Sequence, residues 1–239
     1  MKHTILICGY GPGISQAIGR RFGKAGHPVA LVARNAKRLI KAAEELSEEG
    51  IRAHAFPADL GDFEGVERVV ADVRAVLGSI GILHWNAFLD VQGNLLSVPL
   101  SDLSKSFEIR VASYIAAVQA SLADLEANKG SVLATSGIMA LDEPRIDAFA
   151  ADYAALAIGV AAQHKATGIL AHTLAPRDVH VGEVIVNGFV EGTPGGAGKS
   201  GTVAPADIAE QFWELHAARQ AHSVIVGGAM PVPETVWHA

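Results

Sequence analysis

Two kinds of segment alternate along the chain, as judged by the order of apolar and polar positions. Short runs of consecutive apolar residues, such as Thr4 to Cys8 (TILIC), are typical of strands buried on both faces of a parallel sheet. Longer segments between them, such as Ile14 to Ala25, repeat their apolar residues about every 3.6 positions, which predicts amphipathic helices. The regular succession of the two predicts βα units and therefore a parallel sheet.

The pattern predicts strands at Thr4 to Cys8, Pro28 to Ala33, Arg52 to Phe56, Ile80 to Trp85, Ser131 to Thr135, His180 to Val186 and Ser223 to Val226. It predicts helices at Ile14 to Ala25, Lys37 to Glu49, Phe63 to Leu77, about Leu103 to Leu125, about Phe149 to Leu174 and Ala206 to Arg219. Right-handed crossovers then give an α/β fold, a doubly wound Rossmann-type three-layer sandwich with a parallel sheet of about seven strands. Ligands of such sheets bind at the carboxyl ends of the strands. No linker interrupts the pattern, so we expect residues 1–239 to form a single domain.

One connection is unusually rich in glycine and proline. It runs from Val190 to Pro205 and reads VEGTPGGAGKSGTVAP, which is long and flexible for a link between two regular elements. We expect a mobile loop, at about residues 190–205, that covers the substrate.

Composition and charge exclude several classes of protein. Half of the residues (50%) are hydrophobic, so the chain can bury a large core, and the net charge of −6 argues against nucleic acid as a partner. The single cysteine, Cys8, forms no internal disulfide, and metal-ligand spacings of cysteine or histidine are absent, so we expect no metal. The N-terminal residues lack the features of a secretory signal, and the most apolar stretch, Ala148 to Ala162, is shorter than the ~20 residues that a bilayer requires. We expect a cytoplasmic protein without a membrane partner.

A glycine-rich turn follows the first predicted strand. Gly9, Gly11 and Gly13 stand between that strand and Ile14, where the first predicted helix begins. Glycines at such a junction permit a tight turn and let a diphosphate approach the backbone and the helix N-terminus. The turn therefore indicates a dinucleotide site, with a purely structural turn as the alternative.

The end of the second predicted strand indicates which dinucleotide binds. Arg34 and Asn35 follow this strand, with Lys37 and Arg38 close behind. An acidic residue here favours NAD, whereas the guanidinium of Arg34 suits the 2′-phosphate of NADP. We therefore expect NADP, with NADPH preferred over NADH; the alternative is that these cations form a solvated helix start.

With these residues the chain resembles the short-chain dehydrogenase/reductase family, over nearly all of its length. The turn from Gly9 to Gly13 is similar to the family's Gly-x-x-x-Gly-x-Gly, with Ser15 in the place of the last glycine. Ala58-Asp59-Leu60 resembles the segment whose Asp contacts adenine. Asn86-Ala87-Phe88 resembles the family's Asn-Ala-Gly, with Phe88 in the third place.

A further resemblance lies after the sixth predicted strand. Val186 to Thr193 looks like the segment that holds the nicotinamide amide, with Asn187 where the family has proline. The turn and the resemblance together imply a cofactor site made of Gly9, Gly11, Gly13, Ile14, Arg34, Asn35, Asp59, Leu60, Asn86, Gly188, Val190 and Thr193.

The resemblance fails at the family's catalytic tyrosine and lysine. The family uses a Tyr as proton donor and a Lys four residues later that lowers the pKa of the Tyr. Tyr153 is the candidate here, but Ala157 stands four residues later. Counting back from Ala175-Pro176-Arg177, which resembles the end of the family's helix, puts Leu156 and Val160 at the two positions. Without the lysine, carbonyl reduction is favoured over alcohol oxidation, because reduction uses the protonated phenol.

The other catalytic positions are also altered. Gly137 stands where the family's catalytic Ser falls, and the neighbouring Ser136 either polarises a carbonyl or caps backbone. Arg110 replaces the catalytic Asn and either holds an anionic substrate, supplies the missing cation near Tyr153, or pairs with a neighbouring acid. His84 either transfers protons or is a structural histidine. Our catalytic candidates are Tyr153, Ser136 and Arg110.

These observations predict an NADP-dependent oxidoreductase of the short-chain type that reduces a small carbonyl compound by hydride transfer with a non-standard active site. One alternative is a catalytically inactive NADP(H)-binding sensor or partner protein, and another is a non-redox lyase or isomerase on the same fold. The alanine-rich helix and the resemblance imply a homodimer or homotetramer. Trp213 and Trp237 either wall a substrate pocket or pack the core.

Overall fold

The computed structural model describes residues 2–230, so Trp237 lies outside the described residues. Seven strands form one parallel sheet in the order β3-β2-β1-β4-β5-β6-β7, which confirms the predicted fold. The strands are β1 (Thr4–Cys8), β2 (Val29–Ala33), β3 (Ala53–Pro57), β4 (Ile80–Trp85), β5 (Ser131–Gly137), β6 (His180–Val186) and β7 (Ser223–Val226). The strand order reverses between β1 and β4, where doubly wound sheets open their ligand crevice.

Helices cover both faces of the sheet. They are α1 (Ile14–Lys24), α2 (Ala36–Glu48), α3 (Phe63–Leu77), α4 (Leu100–Phe107), α5 (Ser113–Ala127), α6 (Pro144–Ala150), α7 (Ala154–Leu174) and α8 (Pro205–Ala218). α1, α2 and α8 bury their apolar residues on one face, and α3, α5 and α7 bury theirs on the other. The three layers of the predicted sandwich are therefore present.

Every residue of β1 is buried, as its unbroken apolar run predicts. Ile5 and Ile7 belong to the core under α1 and α8, whereas Leu6 and Cys8 belong to the core under α3 and α5. Burial also raises the pKa of the Cys8 thiol well above its usual range, so this side chain stays protonated and unreactive.

The long helix predicted from about Phe149 begins later in the structure. Phe149 belongs to the separate helix α6, and α7 begins at Ala154, directly after Tyr153. The break has a distant cause: the Gly93 N–H donates to the Asp152 carbonyl at 2.8 Å, and the Ala154 N–H donates to the Gly93 carbonyl at 3.0 Å. These bonds hold the backbone in a bridge that a continuous helix excludes.

The helix predicted from Leu103 to Leu125 is also interrupted. Between α4 and α5 the chain forms one wide π-helical segment, Glu108–Ala112, in which Ile109 and Arg110 are buried. Such segments occur mostly at functional sites, and this one contains Arg110, a predicted catalytic residue.

The glycine-rich connection after β6 is closed at its base. The Val203 N–H donates to the Phe189 carbonyl at 2.8 Å, and the Glu191 N–H donates to the Val203 carbonyl at 3.0 Å. Val190 and Val203 thus pair as a parallel bridge, and a short helical turn, Pro194–Gly196, lies within the loop. Its mobility stays a prediction. No helix within residues 2–230 is both long enough and apolar enough to cross a membrane.

Candidate functional site

The turn after β1 has a shape that only glycine can adopt at two positions. Gly9 and Gly13 have φ angles of 84° and 88°, in the left-handed region. A Cβ on Gly9 would lie 2.5 Å from the Ala87 backbone nitrogen, and one on Gly13 would lie 2.6 Å from the Thr193 methyl carbon. Gly11 faces open space, with no atom within 4 Å of such a Cβ. The turn is therefore pressed against the segments after β4 and β6 and open to ligand between them.

A small hydrogen-bond network fixes this turn. The Ser15 hydroxyl donates to the Gly9 carbonyl at 3.0 Å, and the Asn86 Nδ2 donates to the Ser15 hydroxyl at 2.7 Å and to the Gly9 carbonyl at 3.3 Å. Ser15 is buried, so the network is shielded from water. The sequence assigned Asn86 to the cofactor, and the structure adds that it holds the glycine turn. Ser15 was noticed only as a departure from the family's glycine.

Five predicted cofactor residues come together around one pocket. The pocket has a volume of about 180 Å³ and opens at the carboxyl ends of β1, β2 and β4. It is lined by Gly9, Tyr10, Ala33, Arg34, Ala58, Asp59, Leu60, Asn86, Ala87, Phe88 and Ile109. The six lining residues outside the predicted cofactor set have the pattern of ordinary core residues or neighbour predicted residues; they are Tyr10, Ala33, Ala58, Ala87, Phe88 and Ile109.

The side chains at the far end of this pocket differ in how free they are. Arg34 is exposed, and its guanidinium makes no hydrogen bond or ion pair with the described residues. Asn35 caps α2, since its Oδ1 accepts from the Arg38 N–H at 3.0 Å. Asp59 Oδ1 accepts from the Gly61 N–H at 2.9 Å, while Leu60 is buried in the core. Asn35 therefore has a local structural role, whereas Arg34 is available to a ligand.

The remaining predicted cofactor residues meet at the other side of the glycine turn. Thr193 and Val190 both face Gly13, and the Thr193 hydroxyl donates to the Val190 carbonyl at 2.7 Å. Gly188 has a φ of 155°, and a Cβ there would lie 3.1 Å from Val203. Ile14 begins α1 and packs against the core below the turn. The turn and the segment after β6 thus form one cradle.

Two catalytic candidates, Arg110 and Ser136, are buried, and Gln163 links Arg110 to the backbone next to Ser136. Arg110 is 8% exposed and Ser136 is 4% exposed. Arg110 Nη1 donates to Gln163 Oε1 at 3.1 Å, and Gln163 Nε2 donates to the carbonyl of Thr135, the residue before Ser136, at 2.9 Å. Gln163, on α7, was not predicted, because nothing in the sequence distinguishes it from a surface glutamine.

The surroundings of Arg110 exclude one interpretation of its role. No carboxylate of residues 2–230 pairs with it, so the interpretation that Arg110 pairs with a neighbouring acid is wrong. Burial lowers the pKa of Arg110 to about 10, which keeps the side chain cationic at neutral pH. Its guanidinium lies 5.3 Å from the centre of the Phe88 ring, and Phe88 lines the pocket at the carboxyl ends of β1, β2 and β4. Arg110 is therefore a buried cation at the edge of that pocket.

Tyr153 lies apart from these two residues. It precedes α7 and lines a polar pocket of about 340 Å³ with Gln92, Gly93, Asn94, Ser97 and Asp152. This pocket shares no lining residue with the pocket that Gly9, Arg34 and Asp59 line. Leu156 and Val160, the alternative register, carry no acid or cation. Gln163 thus links Arg110 to the residue before Ser136, whereas the described residues show no contact of Tyr153 with Arg110 or Ser136.

His84 belongs to the opposite face of the sheet. Its ring is fully buried 4.9 Å from the Phe212 ring of α8, and its Nε2 lies 3.0 Å from the Thr135 hydroxyl. Burial lowers its pKa to about 3, so the ring is neutral at physiological pH. The structural interpretation fits this environment. Among the described residues, no three or more His, Cys, Asp or Glu side chains are grouped as metal ligands.

Comparison with known proteins gives consistent matches. A family model described as short chain dehydrogenase matches residues 3–200. A short chain dehydrogenase of Pseudocercospora fijiensis is 30% identical over 184 residues, which cover 74% of this chain but only 59% of that protein. The 1-deoxy-11-beta-hydroxypentalenate dehydrogenase of Streptomyces exfoliatus is 28% identical over 220 residues, covering 87% of this chain and 78% of that protein.

Solved structures share the fold. A blue fluorescent protein from a metagenomic library, in complex with NADPH, superposes with a TM-score of 0.83 at 24% identity, over 95% of this chain and 97% of that one. An alcohol dehydrogenase from the archaeon Thermococcus sibiricus, complexed with 5-hydroxy-NADP, gives a TM-score of 0.81 at 20% identity, over 98% and 100% of the two chains. At these identities the likeness establishes the architecture and not the activity.

Proposed function

Because the chain belongs to the short-chain dehydrogenase family of oxidoreductases, we propose that it is an NADP-dependent reductase of a small carbonyl compound with a non-standard active site. The observation that carries this proposal is a pair of buried polar side chains, Arg110 and Ser136. Arg110 lies 5.3 Å from the Phe88 ring that lines the pocket, and Ser136 follows the residue whose carbonyl Gln163 contacts. A packed apolar wall would serve a structural domain better at this place, since buried polar groups are costly unless they meet a partner.

The glycine turn fits a nicotinamide dinucleotide. Gly9 and Gly13 leave no room for a side chain, and the space over Gly11 is open, as close approach of a diphosphate to the backbone requires. Asp59 and Leu60 would hold the adenine end, while Gly188, Val190 and Thr193 would hold the nicotinamide end. Once bound, the cofactor supplies the hydride for the carbonyl carbon.

Arg34 supports a preference for NADPH. Its exposed guanidinium lines the pocket and has no partner among the described residues, so it can receive a 2′-phosphate. Two of the similar solved structures are complexes with NADPH and 5-hydroxy-NADP. Arg34→Ala should weaken NADPH binding at least about tenfold and leave NADH binding unchanged, because only NADPH carries the 2′-phosphate. Arg52→Ala is the matched control, because Arg52 lies before the amino end of β3, at the edge of the sheet away from the pocket. Equal losses for both cofactors would contradict the assignment.

We assign three roles in the reaction. Ser136 donates a hydrogen bond to the carbonyl oxygen, Arg110 stabilises negative charge near it, and Tyr153 gives the proton. Tyr153 lines a different pocket from the other two residues, so its role is the first to test. Tyr153→Phe removes only the hydroxyl. Reduction that continues at the wild-type rate in this variant would eliminate Tyr153 as the acid.

A direct assay decides the main proposal. The purified protein is titrated with NADPH by quenching of tryptophan fluorescence, and a panel of carbonyl compounds is added to the saturated complex. Loss of the reduced-nicotinamide absorbance with any member supports the reductase. Tight binding without loss of absorbance supports the second candidate, a catalytically silent NADP(H)-binding protein, which Leu156 and Val160 favour at the family's Tyr and Lys positions.

The remaining expectations concern assembly and location. We propose that residues 190–205 cover the substrate, since Val190 and Thr193 of this segment already face the glycine turn.

We also propose that residues 1–239 act as a single domain and that the protein is a cytoplasmic homodimer or homotetramer. The exposed Ile169 on α7 supports self-association. Light scattering of the full chain measures the oligomeric state.

A further inference from the structure

Arg110 is a buried cation without a counter-ion. Arg110 is buried, with only 8% of its surface exposed. Even so, no carboxylate of residues 2–230 lies within ion-pair distance of its guanidinium. Proteins almost always pair a charge that they remove from water, because an unpaired buried charge is strongly destabilising. The positive charge of Arg110 is therefore free to pair with an anionic ligand.

The guanidinium is held in one orientation. Gln163 donates through Nε2 to the Thr135 carbonyl, so its oxygen faces Arg110 and accepts from Nη1 at 3.1 Å. The Phe88 ring covers one side at 5.3 Å. On α7, Gly159 leaves room for the aliphatic part, since a Cβ there would lie 3.2 Å from Arg110 Cδ. Positioning of this kind lowers the entropy that ligand binding costs.

Donors remain unused on this prepared cation. Nε is buried without a partner, and Nη2 makes no hydrogen bond with the described residues. An arginine with a free pair of N–H groups matches a carboxylate, which accepts two parallel hydrogen bonds. The Ser136 hydroxyl, one residue beyond the carbonyl that Gln163 contacts, is also buried without a partner. Unpartnered donors thus remain at both ends of the hydrogen-bonded link that runs from Arg110 through Gln163 to β5.

We propose that Arg110 binds the carboxylate of the substrate while Ser136 binds its carbonyl oxygen, so that the carbonyl compound is a small 2-oxo acid. This rests on the proposed reductase function. In the reaction, the hydride adds to the carbonyl carbon and a proton adds to the carbonyl oxygen, giving a 2-hydroxy acid, while the carboxylate is unchanged. The cofactor's diphosphate is the other anion nearby, but the turn of Gly9 to Gly13 provides a separate place for it.

Calorimetric titration tests the carboxylate site. The probes are 2-oxobutanoate and its uncharged methyl ester, titrated into the full chain with and without saturating NADP⁺. The acid should bind, and Arg110→Gln should weaken this binding about 30-fold, as expected for the loss of charged hydrogen bonds. Arg52→Gln, an exposed arginine whose side chain donates only to the Val76 carbonyl, is the control and should leave the binding unchanged.

A second variant keeps the arginine and supplies it with an internal partner. Gln163→Glu puts an anionic oxygen where Arg110 Nη1 now meets a neutral one, and it gives up the hydrogen bond that Nε2 donates to the Thr135 carbonyl. The internal carboxylate should compete with the ligand and weaken 2-oxobutanoate binding about tenfold or more. This variant also keeps the test valid if Arg110→Gln fails to fold.

The outcomes separate the two proposals. Binding of the acid no tighter than that of the methyl ester, or a drop in NADP⁺ affinity in Arg110→Gln as large as the drop for the acid, overturns the carboxylate site. The second result would mean that Arg110 holds an anion of the cofactor. Arginine-dependent binding of the acid without oxidation of NADPH upholds the carboxylate site and removes the reductase proposal. Reduction of the methyl ester without binding of the acid does the reverse.

Discussion

Acid should destabilise this protein strongly because it buries neutral histidines. Burial lowers the pKa of His84 from 6.5 to about 3 and that of His180 from 6.5 to about 4. The unfolded chain takes up protons below pH 6.5, and the folded chain does not until far lower pH. Stability is therefore complete above pH 6.5 and falls as the pH approaches the folded-state pKa values. By linkage, each histidine removes about 2 kcal/mol between pH 7.5 and pH 5.

The combined loss is large for a protein of this size. His84 and His180 together account for about 4 kcal/mol, against the total of about 5–15 kcal/mol that is typical of folded proteins. His216, whose pKa is also lowered by burial and by His27, acts in the same direction. His164 opposes them, since its hydrogen bond to Glu183 raises its pKa and adds stability as the pH falls.

Urea denaturation at a series of pH values between 7.5 and 5 measures this loss. His84→Gln removes one titrating ring, so its pH-dependent loss should be smaller than that of the wild type by about 2 kcal/mol, whatever its stability at pH 7.5. His172→Gln is the control, because this exposed histidine is solvated in the folded and the unfolded chain. A wild-type stability that changes by less than about 1 kcal/mol over this range would refute the reasoning.

Three substitutions test other parts of the structure. Gly13→Ala should weaken NADP⁺ binding at least about tenfold in a fluorescence titration, since its Cβ has no room; Gly168→Ala, in α7 where a Cβ meets no atom within 4 Å, is its control. Asn86→Ala breaks the contacts to Ser15 and should cost about 1–3 kcal/mol in urea denaturation; an unchanged midpoint would mean that the network is not needed. Arg110→Met removes an unpaired buried charge and should raise the melting temperature, and a lower melting temperature would contradict our account of this cation.

The strands were predictable because their signal is local. β4 and β6 have the predicted bounds, since each is a short, mostly apolar segment between polar or glycine-containing segments. The start of α7 was not predictable. Its alanine-rich sequence favours helix on both sides of Tyr153, and the break depends on Gly93, a residue far away in the chain. The tertiary contact overrides the local propensity.

The same distinction applies to the candidate site. The glycine turn was readable because the φ values of Gly9 and Gly13 are a property of a few adjacent residues. The link from Arg110 through Gln163 to Thr135 joins three separate elements, so its members carry no common sequence signal. That no carboxylate among residues 2–230 pairs with Arg110 is an even less local property, since it depends on where all of their acidic side chains lie.

The cradle around Gly13 also has a consequence for folding during synthesis. Gly13 leaves the ribosome early, whereas Thr193, which closes the cradle against it, follows 180 positions later in the chain. Contacts of such sequence separation form late, because a long loop must close before they contribute stability. A nascent chain that has completed β1 and α1 therefore carries the glycine turn but not a finished binding site. Cofactor therefore cannot stabilise a nascent chain that ends before Thr193. Cofactor binding reports that the segment after β6 has packed against the glycine turn.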